Sequence, residues 1–188
     1  MRVKMYLISD TIFGNGKSIP GAEDISVLCD ENGFPYYKGG TIKGIFRENL
    51  EIYLHLIGKS DEEIKYEVER LLGIGGTHDE KTDRLVFSDF ILSENVKSKV
   101  IEEIGSGNAE QVKQLFTNLR AFTALEDGIA KEGSLRYARC VNRGLYFYSD
   151  IKCSEEDRNL ILDVLFMIKQ IGSMRNRGFG NIQISEVD

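Results

Sequence analysis

The order in which apolar patterns follow one another most limits the fold of this chain. Apolar and polar residues alternate over residues 3–13, 140–151 and 180–187, a two-residue period that predicts strands, and a further strand is predicted at 84–92. In residues 41–57 and 154–171 apolar residues recur every three or four positions, which predicts amphipathic helices with Thr41 and Ser154 as N-caps. The resulting order is strand, helix, strand, strand, helix, strand.

This order predicts an α+β fold of the ferredoxin-like, or RRM-like, βαββαβ type, in which an antiparallel sheet carries two helices on one face. We expect one domain over residues 1–188, because 188 residues form one sizeable core but are few for two. The other segments are predicted insertions. They are a loop with a small β excursion at 14–40, a helical segment at 58–83 with a capping box of Ser60 and Glu63, and a helical lobe at 93–140.

Element order does not fix the function, because RNA-recognition domains share it with metabolic and metal-handling proteins. The formal net charge of -6 argues against nucleic-acid binding through overall charge. Residues 135–147 nevertheless carry three arginines and no acidic residue, so a local basic groove is predicted. The apolar runs are too short for a signal peptide or a membrane span, and we expect a cytoplasmic protein with no membrane partner. Three widely spaced cysteines are predicted to be reduced thiols.

The C-terminal stretch, residues 168–184, has a composition that suits phosphate binding. It contains Gly172, Gly178 and Gly180, with Arg175 and Arg177 between them and Phe179 between the last two glycines. Glycine lets the backbone adopt positive φ and approach a ligand, guanidinium groups suit phosphate, and Phe179 is placed to stack on a base. A glycine-rich turn that simply joins a helix to a strand is the alternative.

A second cationic pair lies near the start of the first predicted helix. Lys43 and Arg47 are one turn apart, where free N–H groups and the helix dipole favour phosphate. A solvated helix face is the alternative.

Three motifs in order along the chain resemble one family. The phrase at 34–47, Phe-Pro-Tyr-Tyr-Lys-Gly-Gly-Thr-Ile-Lys-Gly-Ile-Phe-Arg, and the terminal Gly-x5-Gly-x-Gly resemble the RAMP superfamily of CRISPR systems, which serve antiviral defence. The first match runs through Gly40, Thr41, Lys43, Gly44 and Arg47. Residues 120–139 are similar to the thumb hairpin of backbone subunits of type III effector complexes. One departure is Lys38-Gly39-Gly40, where the family usually has Pro-Gly-Ser.

The resemblance implies a backbone subunit that binds guide RNA (crRNA) and target single-stranded RNA, and that assembles with copies of itself and other type III subunits. The RNA-binding residues it implies are Lys43, Arg47, Arg136, Arg139, Arg175, Arg177, Phe179, Gly172, Gly178 and Gly180. We expect the cations among them to meet in one cleft. The alternative interpretation of Arg136 and Arg139 is that they are surface residues of a strand or hairpin and do not bind RNA.

The resemblance also implies metal-dependent endoribonuclease activity within the assembled complex. Target-cleaving backbone subunits carry an aspartate just before a short apolar piece, and Asp24 occupies that place here. It is the expected catalytic residue and, with neighbouring Glu23, the expected ligand of a divalent metal, Mg²⁺ or Mn²⁺. A loop carboxylate that caps a turn is the alternative for Asp24.

Three other functions are compatible with the sequence. The closest is a non-catalytic guide-RNA-binding scaffold of the same complex. A guide-precursor-processing endoribonuclease would need His55 or His78 as a general base, but His55 is expected to be packed in a helix and neither histidine is placed for that role. A small-ligand protein with a ferredoxin-like fold would have a uniformly negative surface.

Overall fold

A computed structural model describes residues 1–73 and 85–187. Within these ranges the α-helices are α1 (Gly39–Leu56), α2 (Asp61–Leu72), α3 (Glu94–Ile104), α4 (Ala109–Phe116) and α5 (Arg158–Met167). The strands are β1 (Arg2–Leu7), β2 (Val86–Phe87), β3 (Thr117–Phe122), β4 (Leu125–Glu126), β5 (Ile129–Ala130), β6 (Arg136–Val141), β7 (Tyr146–Lys152) and β8 (Ile182–Val187). A short 3-10 helix spans Arg175–Arg177.

Four strands form the main sheet in the order β2-β7-β1-β8, and all neighbouring strands are antiparallel. Met5 in β1 lies opposite Phe147 in β7 and Ile184 in β8, so the alternating apolar residues share one face. Helices α1 and α5 pack against each other and contact β2 and β8 respectively. The order β1, α1, β2, β7, α5, β8 confirms the predicted βαββαβ arrangement and α+β class.

The main core lies between this apolar face and the helices. Helix α1 buries Ile42, Phe46, Leu50 and Leu54, and α5 buries Ile161, Val164 and Leu165. Each fully buried side chain of this size contributes roughly 1.5–3 kcal/mol. The predicted helical periodicity selects all of these residues except Leu50, and it also selects Ile57, which is exposed just past the end of α1. The positions of the two helices therefore follow largely from local sequence.

The predicted strand at 140–151 is wrong as a single element. Residues 136–141 form β6, which pairs with β3, whereas 146–152 form β7 of the main sheet. The chain turns between them at Gly144, whose φ is +86° and whose N–H donates to the carbonyl of Leu7. This turn moves the chain from one sheet to the other.

Four element boundaries also differ from the prediction. Helix α5 begins at Arg158, so Asp157 and not Ser154 precedes it, and Ser154 Oγ accepts the N–H of Asp157 in the turn before the helix. Strand β1 ends at Leu7, and residues 11, 12 and 14 make isolated bridges instead. Helix α5 ends at Met167 because Ile171 already pairs with Gly180, its N–H donating to that carbonyl at 2.9 Å. Strand β2 is two residues long, and the start of the stretch predicted as a strand, at 84, lies outside the described residues. The predicted capping box of Ser60 and Glu63 is confirmed at the start of α2.

The first helix begins at Gly39, and Thr41 lies inside its first turn, so Thr41 is not the N-cap. The Gly39 N–H donates instead to Oδ1 of Asp89, at 2.8 Å. A Cβ at Gly39 would overlap the carbonyl oxygen of Phe87 and lie 2.7 Å from that of Ser88. The helix can therefore start here only because residue 39 has no side chain.

The segment between β2 and β7 holds α3, α4 and a hairpin-like arm, residues 117–141, that we call the thumb. Its base is the antiparallel pair β3 and β6, in register from Thr117 opposite Val141 to Phe122 opposite Arg136, and β4 pairs with β5 nearer its tip. These elements fall in the predicted 93–140 insertion. None of the helices in the described ranges is long and apolar enough to cross a membrane.

Asp10 joins the thumb to the end of β1. Its Oδ2 accepts hydrogen bonds from Nη2 of Arg120, at 2.6 Å, and Nδ2 of Asn118, at 3.2 Å. Its Oδ1 accepts from the N–H of Arg143. Burial raises the pKa of Asp10, but these hydrogen bonds outweigh burial and hold the pKa below its ordinary value. Asp10 therefore stays ionised and fixes the angle of the thumb.

Candidate nucleic-acid interface

A small apolar cluster apart from the main core holds four segments together. Ile12, Ala138 and Cys140 are buried in it, and Ile25, Phe122, Met174 and Phe179 pack around them. The cluster, which we call the junction, joins the segment after β1, the loop around Asp24, the base of the thumb and the C-terminal loop. It brings the predicted residues Asp24, Arg136, Arg177 and Phe179 to one region, although 155 residues separate the first from the last.

A groove of about 650 Å³ lies between the thumb and the C-terminal loop. We call it the thumb groove. Its charged lining residues in the described chain are Lys131, Arg136, Arg177 and Glu132, three cations and one carboxylate. Phe122 also lines the groove, and its ring contacts that of Phe179 edge to face, with centroids 5.5 Å apart. This surface combines positive charge with aromatic carbon, the pairing that single-stranded nucleic acid requires.

A second groove, of about 460 Å³, lies along the start of α1, and we call it the helix groove. Lys38, just before the helix, and Arg175, on the C-terminal loop, face it together with Thr41 and Ser173. The N-terminal end of an 18-residue helix adds a positive dipole end. Glu48 is the acidic residue in the described lining.

The C-terminal loop forms a ridge between the two grooves. Gly172, Ser173 and Arg175 line the helix groove, whereas Met174, Asn176 and Arg177 line the thumb groove. Met174 has a φ of +57°, a left-handed conformation that is strained for a residue with a side chain. An extended anion that crosses the ridge would meet Arg175 on one side and Arg177 on the other.

The glycines of this ridge have different structural roles. A Cβ at Gly172 would lie 2.5 Å from the carbonyl oxygen of Ile12, and one at Gly180 would overlap that of Ile171. These two glycines allow the ridge to pack on its own protein. Gly178, with a φ of +84°, would meet no described atom within 4 Å, so it is the glycine that is open to a ligand.

Lys43 and Arg47 lie on another flank of α1. Nη2 of Arg47 donates to the carbonyl of Gly73 at 2.8 Å. Arg47 also lines a third cavity, of about 290 Å³ between α1 and α2, with Glu51 and His55. Half-buried Lys43 precedes it by one turn. Because α1 turns 100° per residue, positions 43 and 47 lie far around the helix from 41 and 45, which face the helix groove.

The expectation that the cations meet in one cleft is therefore wrong. Arg175 lies in the helix groove, Arg136 and Arg177 in the thumb groove, and Arg47 in the cavity beside α2. Lys43 and Arg47 are predicted from their spacing along a helix. Spacing shows that two residues share one flank of a helix, but it does not show which flank remains exposed after folding.

Arg139 is engaged inside the protein. Its side chain is 13% exposed, it forms an ion pair with Glu23, and its Nη1 donates to Thr117 Oγ1 at 3.2 Å. Arg136 differs because it lies at the exposed end of β6 and faces the thumb groove, whereas Arg139 lies on the opposite face of the strand, against Glu23. We therefore assign Arg139 a structural role and leave Arg136 as the cation of this strand that can reach RNA.

Asp24 is exposed beside the thumb. Its Oδ2 accepts a hydrogen bond from the N–H of Tyr137, at 2.7 Å, and its own N–H donates to the Tyr137 carbonyl. No hydrogen bond joins its Oδ1 to a residue in 1–73 or 85–187. One carboxylate oxygen is thus held by β6, at the residue that follows Arg136, and the other is exposed beside the thumb.

Glu23 does not share this position. It is 4% exposed, and its Oε1 accepts from Arg139 and from Lys113 Nζ. No group of three or more histidine, cysteine or acidic side chains in the described chain is arranged to hold a metal ion. Asp24 alone fits a divalent metal, as one oxygen ligand, and RNA phosphates and water would have to supply the others.

Sequence reasoning missed several residues of this surface. Lys38 departs from the usual family phrase and is not predicted to bind RNA, although a lysine directly before a predicted helix start can indicate a phosphate contact. No local sequence pattern predicts the position of Lys131, because the folding of the thumb brings it to the groove. His55 was expected to be packed but its side chain is 58% exposed, and His78 lies outside the described residues.

A βαββαβ arrangement with a thumb inserted between its second and third strands, and a basic ridge between two grooves, defines an α+β protein with a surface suited to an extended anionic ligand. The family model of the RAMP superfamily matches residues 4–183, so the chain belongs to the RAMP superfamily.

Solved structures agree with this fold. A chain in a cryo-EM structure of the type III-B Cmr-beta bound to cognate target RNA aligns with a TM-score of 0.68 at 12% identity, covering 97% of this chain and 95% of that one. A chain in the type III-B Cmr-beta cryo-EM structure of the apo state gives 0.69 at 14% identity, covering 100% and 96%. The comparison with curated proteins found no match. At these identities the likeness concerns the fold.

Proposed function

We propose that this protein is a backbone subunit of a type III CRISPR effector complex, where it binds guide RNA and cleaves the target RNA paired with it. Membership of the RAMP superfamily supports the proposal, as does the likeness to chains of type III-B structures, one of them bound to cognate target RNA. The observation that carries it is the basic ridge, which gives a chain of net charge -6 a local surface for RNA.

Guide RNA would lie across the ridge. Arg175 and Lys38 would hold phosphates in the helix groove, where the start of α1 adds its dipole. Arg177 and Arg136 would hold phosphates in the thumb groove, and the half-buried ring of Phe179 would support a base.

Cleavage would take place at Asp24, beside the thumb. Its Oδ1 accepts no hydrogen bond from the described residues and would take the proton of a ribose 2′-hydroxyl, while its Oδ2 is held by the N–H of Tyr137. As that proton moves to Asp24, the 2′-oxygen would attack the adjacent phosphorus, a 2′,3′-cyclic phosphate would form, and the bond to the 5′-oxygen of the next nucleotide would break. The leaving 5′-oxygen would take a proton from water, and Asp24 would return its own to solvent. A divalent metal, Mg²⁺ or Mn²⁺, would contribute Lewis-acid polarisation of the phosphate when bound.

The RNA-binding part is tested by replacing Arg136 and Arg177 together with glutamine. We expect the affinity of the purified protein for labelled single-stranded RNA to fall about tenfold or more, because two charge-assisted phosphate contacts are lost. The slope of log affinity against log salt should become shallower by about 1 to 2. Fluorescence anisotropy at several salt concentrations measures both quantities.

The matched control removes the same charge elsewhere. Lys99 on α3 and Lys152 on β7 are exposed and line neither groove, so changing both to glutamine should leave the salt slope within error. Equal affinity of the Arg136/Arg177 variant and the wild type would contradict the proposed RNA surface.

The cleavage part is tested with Asp24→Ala in the assembled complex. We expect target cleavage to fall about 100-fold or more with RNA affinity unchanged, because a positioned proton acceptor contributes on that scale. Glu31→Ala, an exposed carboxylate of a neighbouring loop, is the control and should cleave normally. Gel analysis of labelled target RNA measures the rates.

A non-catalytic scaffold of the same complex is the second candidate function. The observation that favours it is that Glu23, the expected second ligand of a metal, is buried in an ion pair with Arg139 and does not lie exposed with Asp24. Normal cleavage by Asp24→Ala complexes would establish the scaffold function and end the cleavage proposal.

A further inference from the structure

We propose that Glu23 is a positioning residue that holds Asp24 against the thumb through Arg139 and Lys113. This inference rests on the proposed cleavage at Asp24. Glu23 touches neither RNA nor the reacting atoms, so it would act only through the loop that carries Asp24.

The carboxylate of Glu23 is enclosed by two cations from different elements. Arg139 comes from β6 of the thumb and Lys113 from α4, with its Nζ 3.4 Å from Oε1. All three side chains are no more than 13% exposed. Arg139 also contacts Thr117, the first residue of β3, so one acidic side chain ties the loop to both strands at the base of the thumb and to the helix before it.

Backbone hydrogen bonds next to this ion cluster fix Asp24 itself. The carbonyl of Tyr137 accepts the N–H groups of Asp24 and Ile25, at 2.8 and 3.2 Å. The N–H of Arg139 donates to the Ile25 carbonyl at 2.9 Å, which makes a short parallel bridge between Ile25 and Ala138. Asp24 and Glu23 are thus docked on consecutive parts of the same strand.

The charge of Glu23 is what makes the cluster stable. Its Oε1 is shared by the Arg139 guanidinium and the Lys113 ammonium, and these two ion pairs offset the cost of burying the carboxylate. Its Oε2 has no hydrogen-bond partner among the described residues. Removing the negative charge would leave buried Arg139 and Lys113 facing each other with only the exposed carboxylate of Glu110, 3.9 Å from Lys113, to offset their charges, and the loop would lose its anchor.

The docking also couples the thumb to Asp24. Because Arg139 and Tyr137 lie two residues apart on β6, any displacement of this strand moves the anchor of Glu23 and the hydrogen-bond partner of Asp24 together. The Asp24 carboxylate would therefore keep its place relative to β6 if the thumb were displaced.

Glu23→Gln tests the proposal in the full-length protein and in the assembled complex. We expect amide hydrogen exchange of residues 23–27 and 137–139 to accelerate by about tenfold or more, while the main sheet is unaffected. Target cleavage should fall about 10- to 100-fold, since small misplacement of a reacting group has effects of that size. RNA affinity should stay within about twofold, because the ridge does not include Glu23.

Glu110→Gln is the matched control. Glu110 contacts the same Lys113, at 3.9 Å, but its side chain is 64% exposed, so its loss should change neither exchange nor cleavage. Arg139→Lys serves as a second variant. It keeps the charge but not the guanidinium geometry, and it should give a milder version of the same effects.

The outcomes separate this inference from the cleavage proposal. Unchanged exchange in both Glu23→Gln and Arg139→Lys would overturn the positioning role, whatever the effect of Asp24→Ala. If Glu23→Gln loosens the loop while Asp24→Ala cleaves normally, Glu23 is an anchor of the loop and the cleavage proposal is the one that fails. Loosened exchange with lost cleavage and retained RNA affinity would support both.

Discussion

At the scale of single residues, Gly39 shows how one missing side chain sets the start of a helix. The Gly39→Ala change places a methyl group against the carbonyl groups of Phe87 and Ser88. Helix α1 would have to move away from β2, which would also stretch the hydrogen bond to Asp89. We expect the free energy of unfolding to fall by about 1–3 kcal/mol, as overpacking usually costs, and urea or thermal unfolding measures the loss.

The next residue is a built-in control for this prediction. Gly40 belongs to the same first turn, but a Cβ there would meet no described atom within 4 Å. Gly40→Ala should therefore be neutral or slightly stabilising, since alanine favours the helix. Equal effects of the two changes on the free energy of unfolding would contradict the proposed contact between a side chain at residue 39 and the carbonyl groups of Phe87 and Ser88.

At the scale of elements, the thumb is attached to β1 through Asp10. Because folding lowers the pKa of Asp10, its stabilising effect is present above the ordinary value of 3.8 and is lost as the pH falls through the lower folded value. We expect Asp10→Asn to reduce stability by about 1–2 kcal/mol at pH 7, an amount limited by the half-exposed Arg120. The difference between variant and wild type should disappear below the folded pKa, as urea unfolding at several pH values measures.

Hydrogen exchange would assign this effect to the right element. In Asp10→Asn the amides of β3 and β6 should exchange faster, with little change in α1. Asp150→Asn is the control, because Asp150 is exposed and lies 3.9 Å from Arg2. A pH-independent effect of Asp10→Asn would argue that the loss of an acceptor oxygen, and not the loss of charge, loosens the thumb.

At the scale of the whole molecule, local patterns predicted the elements and distant contacts decided the site. The periodic burial of Ile161, Val164 and Leu165 and the capping box of α2 could be read from neighbouring residues. The cap of α1 by Asp89 and the pair of Glu23 with Arg139 join residues 50 and 116 positions apart, and no local pattern records such pairs. For the same reason the sequence does not show that Arg139 and Arg47 make internal contacts whereas Arg136 and Arg175 line grooves.

The junction has a consequence for how this protein can change. Its recognition segments rest on a few apolar side chains of their own, whereas the folding of the sheet depends on the much larger core beneath it. Substitutions of exposed residues in the thumb or ridge therefore change the free energy of unfolding of the main sheet and its helices only slightly. Evolved variants of this chain can therefore acquire a different thumb and ridge surface, and with it a different proposed RNA contact, while they keep the same sheet and helices.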